Sequence, residues 1–360
     1  MKMLEDLHIG CSCCTPRVAR RDVLAGLGAA ATASAVAGSA LAAEKAAAPF
    51  MKGQIDIHHH IVPPAMYPIL DGGPNWKDTL QPWTPQHAIE GMDKTGTQTA
   101  ITSYPNPPRW PTTKDAVKKM VWESNEYQAK LGSDYKGRFG GFALLSLPDV
   151  DATLKDIEYA FDTLKCDGTF MWTNYGDIWV GDRSFDPVYE ELNRRKATVF
   201  VHVRTANCCG NLKDSLGDGT VEWQTDTTRA IGNTIFGGAQ MKFPNINFIW
   251  PHGGGTMPYL VRRFIGVGEQ PKNKANVTPD GFLAAARKFY YDCAQQMLKP
   301  QLYPLKEVVT AERMMFGTDA PYEYAVDVMG EIAKSGFFNK SQLHTISRGN
   351  AEKLFPRFKA

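Results

Sequence analysis

The chain has 360 residues, 43% of them hydrophobic and 22% charged, with 40 Lys and Arg against 38 Asp and Glu. That length supports a large core, and so even a charge balance gives no electrostatic case for nucleic acid or a membrane surface as partner, which leaves small molecules. No solenoid-period repeat, long low-complexity linker or block of like charge divides the chain into modules.

Residues 1–43 read as a twin-arginine-type signal peptide. Arg20 and Arg21 precede Asp22, Val23 and Leu24, an Ala/Gly-rich stretch follows, and Ala40, Leu41 and Ala42 offer a small-residue cleavage site. Residues 23–43 are long enough to cross a bilayer, but Ala, Gly, Ser and Thr give little transfer free energy, so the expectation is periplasmic export without stable membrane insertion. Cys11, Cys13 and Cys14 fall in this segment and have no assigned role. The spacings of Cys166, Cys208, Cys209 and Cys293 match no zinc motif; a disulfide among them stays open, and the vicinal pair reads as loop.

From residue 54 onward eight short apolar runs follow in order: 54–57 (QIDI), 99–103 (TAITS), 139–147 (FGGFALLSL), 169–173 (TFMWT), 197–201 (ATVFV), 247–250 (NFIW), 288–293 (KFYYDC) and 313–316 (RMMF). Their β-branched and aromatic character is that of strands buried on both faces. Helical patterns at 88–94, 114–131, 151–164, 187–195, 281–287 and 326–334 lie between them, and 343–355 reads as a closing helix with Gly349 its weak point. Strand and helix alternating eight times predict a (β/α)8 TIM barrel over residues 54–358, with its chemistry at the C-terminal ends of the strands.

Five residues occupy those ends: His58, His60, His202, His252 and Asp319. On a strand, His58 and His60 face the barrel mouth together while His59 turns toward the helices. With His202 and Asp319 they make a metal-ligand set of three imidazoles and one carboxylate. One divalent ion is expected, zinc first and manganese as the alternative, because imidazole also suits other transition metals and a carboxylate admits manganese.

The motifs IDIHHHIVPP (55–64), NYGDIWVGDRSFDPVYEELNRR (174–195), VFVH (199–202), PHGGGTMPYLVRR (251–263), FYYDCA (289–294), MMFGTDAPY (314–322) and RGNAEKLF (348–355) resemble the amidohydrolase superfamily. The similarity is to its branch typified by 2-amino-3-carboxymuconate 6-semialdehyde decarboxylase and γ-resorcylate decarboxylase. The resemblance implies the same four ligands, with His252 as acid/base beside a metal-bound water and Asp319 shared between binding and catalysis. Residues 169–172 offer no Lys or Glu to bridge two ions, so one metal is expected. Arg263 matches an arginine that reaches a neighbouring subunit's substrate, which implies a homodimer. Arg109, Trp172 and Tyr175 are further candidates for substrate binding, Trp76, Trp83 and Trp179 could join the aromatic lining, and Asp292 is expected to orient a ligand histidine. Val203 stands where the family commonly has Pro, and the 207–210 loop differs too. The expected activity is decarboxylation of a small carboxylated compound, aromatic acids included; the alternative is hydrolysis of a lactone, ester or amide by the same ion and histidine.

Overall fold

All eight runs form strands: β1 Gln54–His60, β2 Thr97–Ser103, β3 Phe139–Ala143, β4 Gly168–Trp172, β5 Thr198–His202, β6 Asn247–Trp250, β7 Tyr290–Asp292 and β8 Met314–Met315. They come from a computed structural model that describes residues 51–73, 76–80, 83–209, 216–322 and 327–359; the segment read as a signal peptide lies outside the described residues. The strands pair in chain order, each parallel to the next. The last meets the first through Ile57 N–H to Phe316 O (3.1 Å), Asp319 N–H to His58 O (2.9 Å) and His60 N–H to Ala320 O (2.7 Å), which closes the (β/α)8 barrel.

Among the described residues the α-helices of seven residues or more are α1 Pro85–Thr95, α2 Lys114–Asp134, α3 Val150–Glu158, α4 Asp186–Arg194, α5 Asp218–Phe236, α6 Met257–Gly268, α7 Lys299–Val308 and, after the last strand, α8 Val328–Lys334; the helix expected at 281–287 is the short helical turn Phe282–Ala286. Their starts are encoded locally. Thr84, Thr113 and Asp149 accept the backbone N–H of His87, Ala116 and Ala152, so each satisfies an otherwise orphan donor of the first turn. Helices α5, α6 and α7 are not among those expected from apolar periodicity. In α5 the hydroxyls of Thr225, Thr227, Thr228 and Thr234 bond back to the carbonyls of Val221, Trp223, Gln224 and Ala230, a use of threonine that leaves no apolar period to read.

Strand β3 stops at Ala143, short of the expected 147, because Asn125 of α2 takes over the pairing: its amide accepts from Leu144 N (2.8 Å) and donates to Leu144 O (3.0 Å). The closing helix is broken into Lys340–His344, a wider turn at Thr345–Gly349 and Asn350–Leu354, with Gly349 at the junction. Inside the barrel Phe142, Phe170 and Phe200 pack as a floor, with ring centroids 5.3 Å apart for Phe142 and Phe200 and 6.2 Å for Phe170 and Phe200. Phe200 lies 5.0 Å from the His58 ring and two residues before His202 on the same inner face. The phenyl floor therefore keeps water from the underside of the histidine layer. No helix among the described residues is long and apolar enough to cross a membrane.

Candidate metal centre

Strand β1 delivers its histidines through an irregularity: its register against β2 shifts between Asp56 and His59. The buried Asp56 carboxylate holds that bend by accepting from His58 N (3.0 Å), and from Thr318 N (3.1 Å) and Thr318 Oγ1 (2.6 Å) across the seam with the last strand. His59 Nδ1 lies 3.0 Å from the same carboxylate, so His59 is turned to Asp56.

The other side chains converge. Asp319 Oδ1 is 3.1 Å from both His58 Nε2 and His60 Nε2, which are 3.2 Å from each other, and Asp319 Oδ2 is 3.4 Å from His252 Nε2. The ligand atoms of His58, His202, His252 and Asp319 all lie within 4.8 Å of one another, and all four residues are buried. His60 touches two members of this group, so the five residues picked out by the sequence share one spot at the barrel mouth.

Supporting groups fix the rings. Asp292, at the end of β7, places Oδ2 2.7 Å from His58 Nδ1 and uses Oδ1 to accept the backbone N–H of His252 (2.8 Å) and Ala294 (3.0 Å). Ser103, closing β2, lies 3.0 Å from His60 Nδ1, and Gln295 donates to Asp319 Oδ2 at 2.8 Å. Sequence reading singled out Asp292 but not Ser103, Gln295 or Asp56. Ser103 carries a usable signal, because it ends a strand in the same layer; Gln295 carries none, since it is aimed by a left-handed backbone (φ 56°). His252 (φ 50°) and Asp319 (φ 65°) share that conformation, which costs about 1–3 kcal/mol apiece and is held by the surrounding bonds. Gly317 is required by close approach: a Cβ there would sit 2.8 Å from His58 Cβ and 3.2 Å from Asp292 Cβ.

The electrostatics suit a cation. Burial alone would depress His58, but Asp292 and Asp319 outweigh it and push the imidazole up to about 10. Burial takes His60 down to about 4 against the pull of Asp319, and burial with the neighbouring imidazoles of His60 and His58 holds His202 well below its usual range. Asp319 is held well below the carboxylate range: burial opposes this, and His58 together with the bonds from His252, His58 and His60 overcomes it. An ionised carboxylate beside the low-pKa imidazoles of His60 and His202 offers donors a divalent ion requires, and His58 gives up its proton when it joins them. The ring nitrogens support the same fit: His202 Nδ1 and Nε2 and His252 Nδ1 are buried without a hydrogen-bond partner, a costly state that a ligated ion relieves for His202.

The remaining candidates fall at different distances from this centre. Trp172 is fully buried, its ring 4.5 Å from Phe170 and 6.2 Å from His202, and buried Tyr175 accepts Trp172 N–H through its hydroxyl (3.1 Å). Trp179 donates to Asp226 (2.8 Å), Trp76 packs on Tyr67 and Trp83 on Tyr127. Arg109 is exposed and bonded to the Asp71 and Pro68 carbonyls, and Arg263 is exposed on α6. Cys208 and Cys209 are joined to each other in the loop after β5 and stand outside the donor group.

Imidazoles and a carboxylate gathered at the C-terminal ends of a parallel barrel define a metal-dependent barrel enzyme. The chain belongs to the amidohydrolase family, whose profile, described as Amidohydrolase, matches residues 55–357. It is 33% identical over 327 residues to decarboxylase yanB of Aspergillus niger, covering 85% of this chain and 88% of that one. It is 30% identical over 317 residues to 6-methylsalicylic acid decarboxylase of Penicillium expansum, covering 85% and 97%. Among solved structures, the dihydroxybenzoic acid decarboxylase of Polaromonas sp. JS666, with bound manganese and the inhibitor 2-nitroresorcinol, is alike in fold: TM-score 0.71 at 19% identity, over 86% of this chain and 98% of that one.

Proposed function

We propose that the protein is a metal-dependent decarboxylase of small aromatic acids. One observation carries this reading: the buried meeting of four histidines with Asp319, in a chain whose relatives yanB and 6-methylsalicylic acid decarboxylase are named decarboxylases. His58, His60, His202 and Asp319 would hold one divalent ion. Ligating imidazoles normally have their second nitrogen engaged, as Asp292 and Ser103 engage His58 and His60. His252, whose Nδ1 has no partner, is the ring best placed to exchange a proton.

When bound, the ion supplies Lewis acidity toward the substrate's oxygens. The chain's own residues do the rest. Trp172 and the phenyl floor close off water beneath the site, and His252 Nε2 sits 3.4 Å from Asp319 Oδ2, at the spot the ligands surround. As the carbon–carbon bond breaks, its electron pair stays on the ring carbon, CO2 departs, and the His252 proton takes the vacated position. The donor set favours zinc, and the manganese in the Polaromonas neighbour makes that ion the alternative.

The test loads the mature protein with zinc or manganese and offers hydroxybenzoates, 6-methylsalicylate, muconate semialdehydes, lactones and amides, following CO2 and products by mass spectrometry. CO2 release from a hydroxybenzoate is the expected result. Lactone or amide turnover with no CO2 from any acid would replace this reading with a hydrolase.

We further propose that residues 1–43 direct twin-arginine export, on the strength of Arg20, Arg21 and the small-residue site at 40–42. Changing both arginines to lysine should leave uncut precursor in the cytoplasm on fractionation; shortened periplasmic protein from that double variant would exclude the route.

A further inference from the structure

Two residues beyond the ligand His202, the chain carries an arginine that sequence reading passed over. Strand β5 ends at His202, and further bonds tie the chain to the end of β4: Thr173 N–H donates to His202 O (2.8 Å), Arg204 N–H to Thr173 Oγ1 (3.0 Å), and Asn174 Nδ2 to Arg204 O (2.7 Å). Val203 is fully buried, whereas Arg204 is half-buried and close enough to Tyr175 for the two side chains to interact electrostatically.

The Arg204 guanidinium is half-buried and has no hydrogen bond or ion pair among the described residues. The acids nearby are engaged elsewhere. Asp226 accepts from Asn174 (2.7 Å) and Trp179 (2.8 Å) and stands 3.6 Å from Arg229, while Asp218 accepts from Thr205 (2.7 Å). On the adjoining strand, Trp172, whose Cα pairs with His202, has a buried indole N–H without an acceptor. Two donors, one on the strand end beside His202 and one two residues past it, thus lack acceptors among the described residues. A half-buried guanidinium without a protein partner is open to an anion. Arg109 and Arg263, by contrast, are exposed.

We infer that Arg204 anchors the substrate's carboxylate, with the Trp172 indole N–H donating to the same bound molecule. The planar guanidinium fork matches the two oxygens of a carboxylate, which narrows the ligand to an aromatic acid over its neutral ester or amide. The ligand class rests on the decarboxylase reading; the anion site rests on the geometry of Arg204 and Trp172.

Benzoate and its neutral isostere benzamide, titrated calorimetrically into the metal-loaded protein, read this directly. The parent should prefer benzoate, and Arg204→Met should lose about 10²-fold in benzoate affinity while benzamide binding and metal content stay unchanged. Arg204→Lys should recover part of the loss, and the melting temperature of unliganded Arg204→Met should hold, since the guanidinium has no hydrogen bond or ion pair among the described residues to lose. Equal benzoate binding by parent and Arg204→Met overturns the inference, as does a parent indifferent between the two probes. A matched fall for both probes with a lower melting temperature also overturns it, showing a structural arginine. Selective benzoate loss in a protein that releases CO2 from no acid keeps the anchor and removes the decarboxylase reading. CO2 release with KM unchanged in Arg204→Met does the reverse.

Discussion

Replacing Asp319 or His202 by alanine is expected to empty the centre, taking bound metal from about one ion per chain to about none and turnover down by about 10³-fold or more, the equivalent of about 4 kcal/mol of barrier. Asp319 is the hub: His58 Nε2, His60 Nε2, His252 Nε2 and Gln295 Nε2 all lie within 2.8–3.4 Å of its oxygens. Without it, buried imidazoles face one another, and the carboxylates of Asp292 and Asp56 lie behind the His58 ring and on its backbone instead of in front. His202 acts differently. Both its ring nitrogens lack protein partners, so its removal leaves the fold's hydrogen bonds intact and takes away only a donor. Elemental analysis after dialysis, with circular dichroism to show that the barrel persists, checks the pair. One equivalent of metal retained by both variants removes the ligand assignment, and two equivalents in the parent remove the single-ion reading.

The second expectation is that His252→Ala keeps its ion and loses turnover by about 10²- to 10⁴-fold, the range for a general acid/base. His252 is fixed through its backbone, whose N–H donates to Asp292, so cutting back the ring does not disturb the anchor. The contest is with His60. His252 joins His58, His202 and Asp319 in a four-residue donor group within 4.8 Å, whereas His60 is the ring whose second nitrogen is engaged, by Ser103. Metal content of His60→Ala and His252→Ala decides between them: an ion kept by the first and lost by the second exchanges their roles.

The barrel was legible because a strand buried on both faces must be apolar along its whole length, and eight such runs, four of them leading into the five site residues, leave few alternatives. The histidines were legible for the same reason: an imidazole closing a hydrophobic strand has to lie at a strand end. Backbone geometry and hydroxyl chemistry were not. Helix α5 hides because its threonines satisfy their hydroxyls on their own turn, something no apolar period records. Gln295 hides because a left-handed residue, and not strand alternation, aims its amide at Asp319. Arg204 hides because its strand ends two residues earlier, and only bonds to the side chains of Thr173 and Asn174 hold it at the end of β4.

The seam between the first and last strands has a kinetic meaning. His60 and Asp319, 259 residues apart along the chain, meet at 3.1 Å, and Asp56 ties the bend of β1 to Thr318 beside them. The donor set thus straddles the joint at which the ring of strands shuts, a contact of very long sequence separation and so expensive in chain entropy. A nascent or partly folded chain whose final strand has not docked holds histidines but no centre. Competence to take up the ion therefore arrives with the last step of ring closure, and capture of metal reports that the whole circuit of the barrel is complete.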